Sequence, residues 1–327
     1  MENYWVWCGS VIQGEDGKYH MFASRWPKSL TFKPHWLTNS EIVRAVSDTA
    51  EGPYTFQEVV LPARGNSYWD GMMTHNPTIH KSGDTYLLYY TGTTYEGERP
   101  DPLHQVPMGS PRIQEVRQNQ RIGLATSRSI YGPWKRMDQP ILQTRPGCWD
   151  STMTTNAAPC VLADGRVLLI YKSSSGEGAK LRLGAAMAES YNVPYERLKD
   201  EPIFDFTATG DHVEDPYVWH NGNNFELIMK DMHGGICGEK FGGVHAVSED
   251  GIHWDVSQQP LAYSRTVRWD DGTITLQGHV ERPQLLIRDG KPTHFFAATA
   301  NGASVFDKRN PSTRTWTMAI PLSAEGE

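Results

Sequence analysis

The sequence predicts an all-β fold, a five-bladed β-propeller of four-stranded antiparallel blades, from three observations. A hairpin pattern recurs five times at intervals of roughly 55–80 residues, a spacing that signals a repeat architecture. Each hairpin is followed by a third strand and a recurring ending marked by proline or an aromatic residue. Helical periodicity is nearly absent.

The hairpins run in order along the chain. The first joins Ser10-Val11-Ile12 to Tyr19-His20-Met21-Phe22 around Glu15-Asp16-Gly17. The second joins Pro77-Thr78-Ile79 to Tyr86-Leu87-Leu88-Tyr89 around Ser82-Gly83-Asp84. The third turns at Ala163-Asp164-Gly165, the fourth at Asn221-Gly222-Asn223 and the fifth at Arg288-Asp289-Gly290. Such turn residues accept positive φ and suit the twist of paired strands. The endings are Gly52-Pro53-Tyr54, Gly132-Pro133-Trp134, Pro194-Tyr195, Ile252-His253-Trp254 and Arg314-Thr315-Trp316, each leading into a further apolar run. Radial repetition of such sheets leaves only short, protected edges.

Trp69-Asp70-Gly71-Met72-Met73-Thr74-His75-Asn76-Pro77 resembles Trp149-Asp150-Ser151-Thr152-Met153-Thr154-Thr155-Asn156, so residues 1–327 read as one propeller without a boundary. Residues 93–118, with Pro100, Pro102, Pro107 and Pro111, read as an insertion between strands and are expected to form a lid.

The bulk numbers narrow the function. A net charge of −7 with scattered Lys and Arg argues against a nucleic-acid binder held by phosphate contacts. No stretch approaches the roughly 18 apolar residues of a spanning helix, so no membrane partner is expected. The start, Met1-Glu2-Asn3-Tyr4-Trp5, lacks the basic and apolar regions of a secretory signal. Cys8, Cys148, Cys160 and Cys237 form no CxxC pair and read as buried free thiols. Both point to the cytoplasm, with the periplasm or export as the alternative if a signal was trimmed. Eleven Trp and fourteen Tyr exceed what the core requires, and their rings suit the C–H faces of sugars.

In a propeller the innermost strands begin at one end of the central channel, where the residues before the repeated prolines should meet. These are Cys8-Gly9, His75-Asn76, Asn156 through Ala158, Glu214-Asp215 and Glu281-Arg282. The second strands return to the same end with Arg25, Thr91 to Thr93, Lys172-Ser173, Lys230-Asp231 and Thr299 to Asn301. Such a polar ring suits a small, polar ligand. Glycoside hydrolysis needs two carboxyls, which Glu214, Asp215, Glu281, Asp70 and Asp150 can supply. His75, Asn76, Arg25, Trp69, Asn156, Lys172, His212, Lys230 and Arg282 are the candidate sugar contacts.

The repeat pattern and the segment Asp211-His212-Val213-Glu214-Asp215-Pro216-Tyr217-Val218 resemble the five-bladed propeller glycosidases, glycoside hydrolase family 43 and relatives such as family 117. The resemblance covers essentially the whole chain. It implies Glu214 as general acid, a water nucleophile and inversion of configuration. The chain departs from it where family 43 has catalytic Asp residues, carrying Cys8-Gly9-Ser10, His75-Asn76-Pro77 and Asn156 instead. Asp70, Asp150, His75 or His212 are the expected replacements, and family 117 is similar in using a His. No cofactor is required on this reading. Calcium remains admissible near the axis, where His75, Asn76 and Asn156 could bind water around it.

The expected function is therefore an exo-acting, inverting glycoside hydrolase on a small oligosaccharide, bearing a uronate or sulfate that Arg25, Lys172, Lys230 and Arg282 would pair. A propeller lyase on a uronic-acid glycoside, with His75 as base beside Arg282, and a non-catalytic sugar-binding propeller are the alternatives.

Overall fold

The computed structural model describes residues 1–301 and 313–322. Five antiparallel sheets stand around one axis. Blade I is β1 (Tyr4–Gln13), β2 (Tyr19–Pro27), β3 (Glu41–Ser47) and β4 (Thr55–Leu61). Blade II is β5 (Met73–Ser82), β6 (Thr85–Thr93), β7 (Arg121–Ser127) and β8 (Lys135–Arg136). Blade III is β9 (Thr155–Val161), β10 (Val167–Ser173), β11 (Arg182–Ala188) and β12 (Glu196–Arg197). Blade IV is β13 (Val213–His220), β14 (Phe225–Asp231), β15 (Gly243–Ser248) and β16 (Asp255–Tyr263). A small hairpin, β17 (Thr266–Arg268) and β18 (Ile274–Leu276), precedes blade V, β19 (Glu281–Arg288), β20 (Lys291–Ala300) and β21 (Thr315–Pro321).

All five expected hairpins form. Blade V has three strands among the described residues, because Thr315–Pro321 runs as one continuous strand rather than as a third strand and an ending.

Alternating apolar positions fill the wedge between neighbouring blades. Phe22, Ile42, Tyr86 and Tyr90 pack between blades I and II, and Leu87, Tyr89, Leu169 and Tyr171 between II and III. Leu168, Leu227 and Trp254 join III to IV, Tyr217 and Phe295 join IV to V, and Met21 and Phe296 join V to I. Among the described residues the ring closes without strand exchange. The Val6 and Gly9 backbone N–H groups donate to the Thr315 and Thr317 hydroxyls at 2.8 and 3.1 Å. Gly9 is required there, since a Cβ would sit 2.4 Å from the Thr317 hydroxyl oxygen.

Two short helices, which the sequence pattern had not indicated, sit on the axial end: α1 (Phe32–Asn39) and α2 (Pro111–Gln118). Leu37 of α1 packs with Tyr95, Ile113 and Val116 of the 93–118 insertion, which fixes that insertion against the propeller. Cys8, Cys160 and Cys237 are buried free thiols, whereas Cys148 is exposed, contrary to expectation, because it lies in the turn before Trp149 rather than on a strand. No helix among the described residues is long and apolar enough to cross a membrane.

Candidate active site

Each innermost strand carries the same irregularity. The register of all five shifts at a bulge near its start. One residue of each bulge has left-handed backbone: Cys8, Asn76, Asn156, Asp215 and Arg282, with φ of 57°, 51°, 53°, 56° and 53°. A bulge re-aims a side chain that regular pleating would send to a blade face. Here it turns five side chains onto the axis.

They form a chain of hydrogen bonds. The Cys8 thiol donates to Asn76 Oδ1 at 2.8 Å, Asn76 Nδ2 to Asn156 Oδ1 at 2.7 Å, and Asn156 Nδ2 to Asp215 Oδ1 at 2.5 Å. The Arg282 backbone N–H donates to Asp215 Oδ2 at 3.1 Å. This ring floors a cavity of about 580 Å³.

Over that floor stands a charge cluster. Glu214 and Lys230 are direct partners across β13 and β14, which places their heads together. Lys230 Nζ lies 2.6 Å from Glu214 Oε1, 2.8 Å from Glu281 Oε2 and 3.6 Å from Asp215 Oδ2. Lys172 Nζ reaches the other oxygen of Glu214 at 3.0 Å, and His279 Nδ1 lies 3.1 Å from Glu281 Oε1.

The electrostatics follow from this geometry. Burial pushes the Glu214 carboxyl up, but the Lys172 and Lys230 ammoniums outweigh it and hold the group well below the usual carboxylate range. Burial likewise raises Glu281, yet Lys230 and the His279 contact bring it down to about 2. Asp215 is raised, by burial first and then by the Glu214 charge, against the pull of Lys230. Lys230 is held well above its ordinary value, because the three carboxylates more than offset its burial. Burial, with Arg282 and Lys172 nearby, drops His75 to about 3, so it is a neutral imidazole near pH 7.

The structure thus brings Glu214, Asp215, Glu281, His75, Asn76, Asn156, Lys172, Lys230 and Arg282 to one cavity. Sequence reasoning missed Trp7, Trp26 and Trp36, which supply aromatic wall, and Arg117, Arg265 and His279. Arg117 comes from α2, so the insertion builds a wall of the cavity. Trp36, Arg117, Arg265 and His279 lie in helices and loops outside the repeat, while Trp7 and Trp26 stand on β1 and β2, where the tryptophans were read as shared between core and sugar without being placed.

Five other candidates lie elsewhere. Asp70 is fully buried against Arg64 at 2.5 Å, Arg136 at 3.3 Å and the Tyr90 hydroxyl at 2.7 Å. Asp150 repeats this in blade III, with Arg145 at 2.9 Å, Arg197 at 2.7 Å and Tyr171 at 2.9 Å. Trp69 stacks on Tyr90, and Trp149 stacks on Tyr171 in the same way. The duplicated Trp-Asp segments are therefore braces that tie the turn before each inner strand to its blade, not site residues. Arg25 pairs with Glu41 at 2.9 Å and lies over the Tyr4 and Phe56 rings on the blade flank. His212 faces His233 and lines a separate small cavity of about 90 Å³.

This assignment predicts the behaviour of Asp70→Asn. Removing a buried charge partner typically destabilises by about 3–5 kcal/mol. Thermal unfolding should therefore start well below the wild-type midpoint, while turnover measured far below that midpoint stays near wild type.

Calcium fits neither the carboxylate cluster nor the axis, where the sequence had left room for it. The oxygens of Glu214, Asp215 and Glu281 lie within 4.8 Å of one another, but the Lys230 ammonium already stands among them. On the axis, Asn76 Oδ1 and Asn156 Oδ1 already accept ring hydrogen bonds, and a second cation, Arg282, lies beside them.

No protein-family model and no curated protein sequence matches the chain. Among solved structures it is similar to a family 117 glycoside hydrolase, Zg3597, from the marine bacterium Zobellia galactanivorans, at 15% identity and a TM-score of 0.66, over 97% of this chain and 84% of that one. It is also similar to a thermostable family 43 glycoside hydrolase, at 13% identity and a TM-score of 0.62, over 98% and 91% of the two chains. A third similar structure is a family 43 β-xylosidase/α-arabinofuranosidase from a compost microbial metagenome, solved with xylotriose in a calcium-free form. Its identity is 14% and its TM-score 0.57, over 100% of this chain and 94% of that one. At these identities the likeness is one of fold, a five-bladed propeller shared with glycoside hydrolases of both families.

Proposed function

We propose that the protein is a glycoside hydrolase that takes the end of a small, acidic oligosaccharide into the axial cavity. The observation that carries this reading is the Glu214–Lys230–Glu281 cluster at the base of an aromatic-walled cavity, in a fold shared with glycoside hydrolases. The cavity ends blindly on the axial ring, which suits exo action.

Glu214 is the proton donor on this reading. In the empty cavity its two ammonium partners keep it ionised. An acidic group bound in the cavity would add negative charge near Glu214, which favours its protonated form.

The spacing changes the expected stereochemistry. An inverting pair stands about 6.5–9.5 Å apart to admit water, whereas a retaining pair stands about 5–5.5 Å apart. One oxygen of Glu214 and one of Glu281 lie within 4.8 Å and share the Lys230 ammonium, a closeness that favours the shorter, retaining spacing, with Glu281 as the nucleophile. Proton NMR of the first-formed product should show the anomer of the substrate. The opposite anomer would remove Glu281 as nucleophile and place the attacking water on another group.

A second cavity of about 230 Å³ shares Arg117, Met153 and Leu181 with the first and is lined by Met108, Ile113 and Ala179. It is the natural seat of the leaving group. Gly176 lines it, has open space at its Cβ position and carries no positive φ. Gly176→Trp should raise KM about tenfold for oligosaccharides, by loss of leaving-group contacts of roughly 1–3 kcal/mol. Glycosyl fluorides, which lack a bulky leaving group, should be spared.

A lyase is the second reading, favoured by the neutral His75 beside Arg282. Its product would carry a carbon–carbon double bond and absorb in the ultraviolet, which a hydrolysis product does not.

A further inference from the structure

We infer that the Arg282 guanidinium is the seat of an oxyanion carried by the bound sugar, a carboxylate or a sulfate, at the closed end of the axial cavity. The inference rests on the carbohydrate reading above and names the part of the substrate that the axis recognises.

Arg282 is 1% exposed, and among the described residues none of its three side-chain nitrogens has a hydrogen-bond partner. A guanidinium carries five N–H donors and cannot lose its proton in a protein. Leaving such a group buried and unpaired is strongly unfavourable, so native structures explain each instance by a ligand, an ion or water.

Neighbouring groups do not supply the acceptor. The nearest carboxylate is Asp215, whose Oδ1 lies 3.9 Å from Arg282 Nη1. That is beyond hydrogen-bond reach. Both Asp215 oxygens are already engaged, one by Asn156 Nδ2 and one by the Arg282 backbone N–H. Next to Arg282 along the ring, Asn76 and Cys8 are bonded to each other.

A further observation points to a ligand rather than to a structural role. The cavity carries an excess of positive charge: Lys33, Arg117, Lys172, Lys230, Arg265 and Arg282 against Glu214, Asp215 and Glu281. Lys172 and Lys230 are absorbed by the carboxylates, and Arg265 leans on Gln277 O at 3.3 Å and Glu239 at 3.7 Å. Among the described residues Arg282 is the buried cation of the cavity whose donors stay unmet, with Asp215 at 3.9 Å as its nearest counter-charge. A water molecule could take one or two of its donors but would add no charge. A planar carboxylate or a sulfate answers two parallel N–H groups and the charge together.

The test is calorimetric binding to the full chain, wild type, Arg282→Met and Arg282→Lys. The probes are glucuronate, galacturonate, galactose 6-sulfate, neutral glucose and galactose, and sodium acetate and sulfate alone. The wild type should bind at least one acidic sugar about tenfold or more tightly than its neutral parent, and whichever binds identifies carboxylate or sulfate. Arg282→Met should lose that preference by about 10–100-fold, the worth of a charge-assisted hydrogen bond or two, with Arg282→Lys between. Should Arg282→Met not fold, the wild-type comparison and Arg282→Lys decide. Equal binding of acidic and neutral sugars would overturn this inference and leave the carbohydrate reading standing. Binding of acetate or sulfate with no binding of any sugar would overturn both. Acidic sugars that bind wild type and Arg282→Met alike would put the oxyanion elsewhere in the cavity.

Discussion

Glu214→Gln should lower turnover by about 10²–10⁴-fold, the usual contribution of a general acid. The substitution keeps the shape of the side chain but cannot deliver a proton. Lys172 at 3.0 Å and Lys230 at 2.6 Å hold different oxygens of Glu214, so in the variant one keeps an amide oxygen and the other faces the amide NH2; the comparison of leaving groups therefore decides, not the absolute loss. The loss should depend on the leaving group. Substrates that depart with a good leaving group need little protonation and should lose far less than natural oligosaccharides. Parallel steady-state kinetics on the two substrate types measures this. An equal loss on both would make Glu214 a binding residue.

Lys230→Met is the second large effect, and it reads out as stability. Lys230 is 2% exposed and stands among three carboxylates. Its removal leaves them crowded, with only Lys172 on Glu214 and His279 on Glu281 as partners among the described residues, and breaking a buried pair in this way destabilises by about 3–5 kcal/mol.

The effect has a definite dependence on pH. Glu281, at about 2 when folded against an ordinary 4.5, contributes stability that is present above about pH 4.5 and lost as pH falls through about 2. Glu214 is depressed in the same sense, so its contribution is also lost on acidification. Lys230 is raised, so its contribution is complete below about 10.5 and is lost only as pH rises past its folded value. Without the ammonium, the carboxylates lose the cation they share, Glu214 and Glu281 keep only Lys172 and His279, and protons are taken up at higher pH. The gap between wild type and Lys230→Met, from denaturant titrations at pH 7 and pH 4, should therefore narrow at the lower pH. A gap of the same size at both would mean that Lys230 acts by packing alone.

Much of this arrangement was legible in the sequence. Turn residues such as Glu15-Asp16-Gly17 and Asn221-Gly222-Asn223 mark hairpins by local chemistry, and all five hairpins formed where those turns stand. The repeated residue before proline located Asn76, Asp215 and Arg282 at the channel, because the repeat itself places equivalent residues at equivalent radii.

What failed did so for two physical reasons. Parity was the first. Strand side chains alternate, so an error of one residue sends a group to the other face. The Ser24 hydroxyl is what meets the Asn76 backbone at 3.0 Å, as the Thr91 hydroxyl meets that of Asn156 at 3.3 Å. Arg25, one position on, points to the flank. Long-range pairing was the second. Asp70 and Asp150 look available in sequence, yet each is neutralised by one arginine a few residues before it and a second more than forty residues after it, Arg136 and Arg197. The matching pairs Arg64 with Asp70 and Arg145 with Asp150 were the visible trace of this brace. Nothing local announces that Lys230 would stand among three carboxylates drawn from two blades.

The central claim is that the cluster around Lys230 hydrolyses a glycosidic bond. It is tested most directly by turnover of a panel of neutral and uronate-capped oligosaccharides in ¹⁸O-labelled water, by wild type and Glu214→Gln, with products read by mass. The account predicts products that together gain one labelled water in the wild type, with an acidic oligosaccharide as the best substrate and little turnover in the variant. Cleavage products that carry no label, or cleavage undiminished in Glu214→Gln, would contradict it.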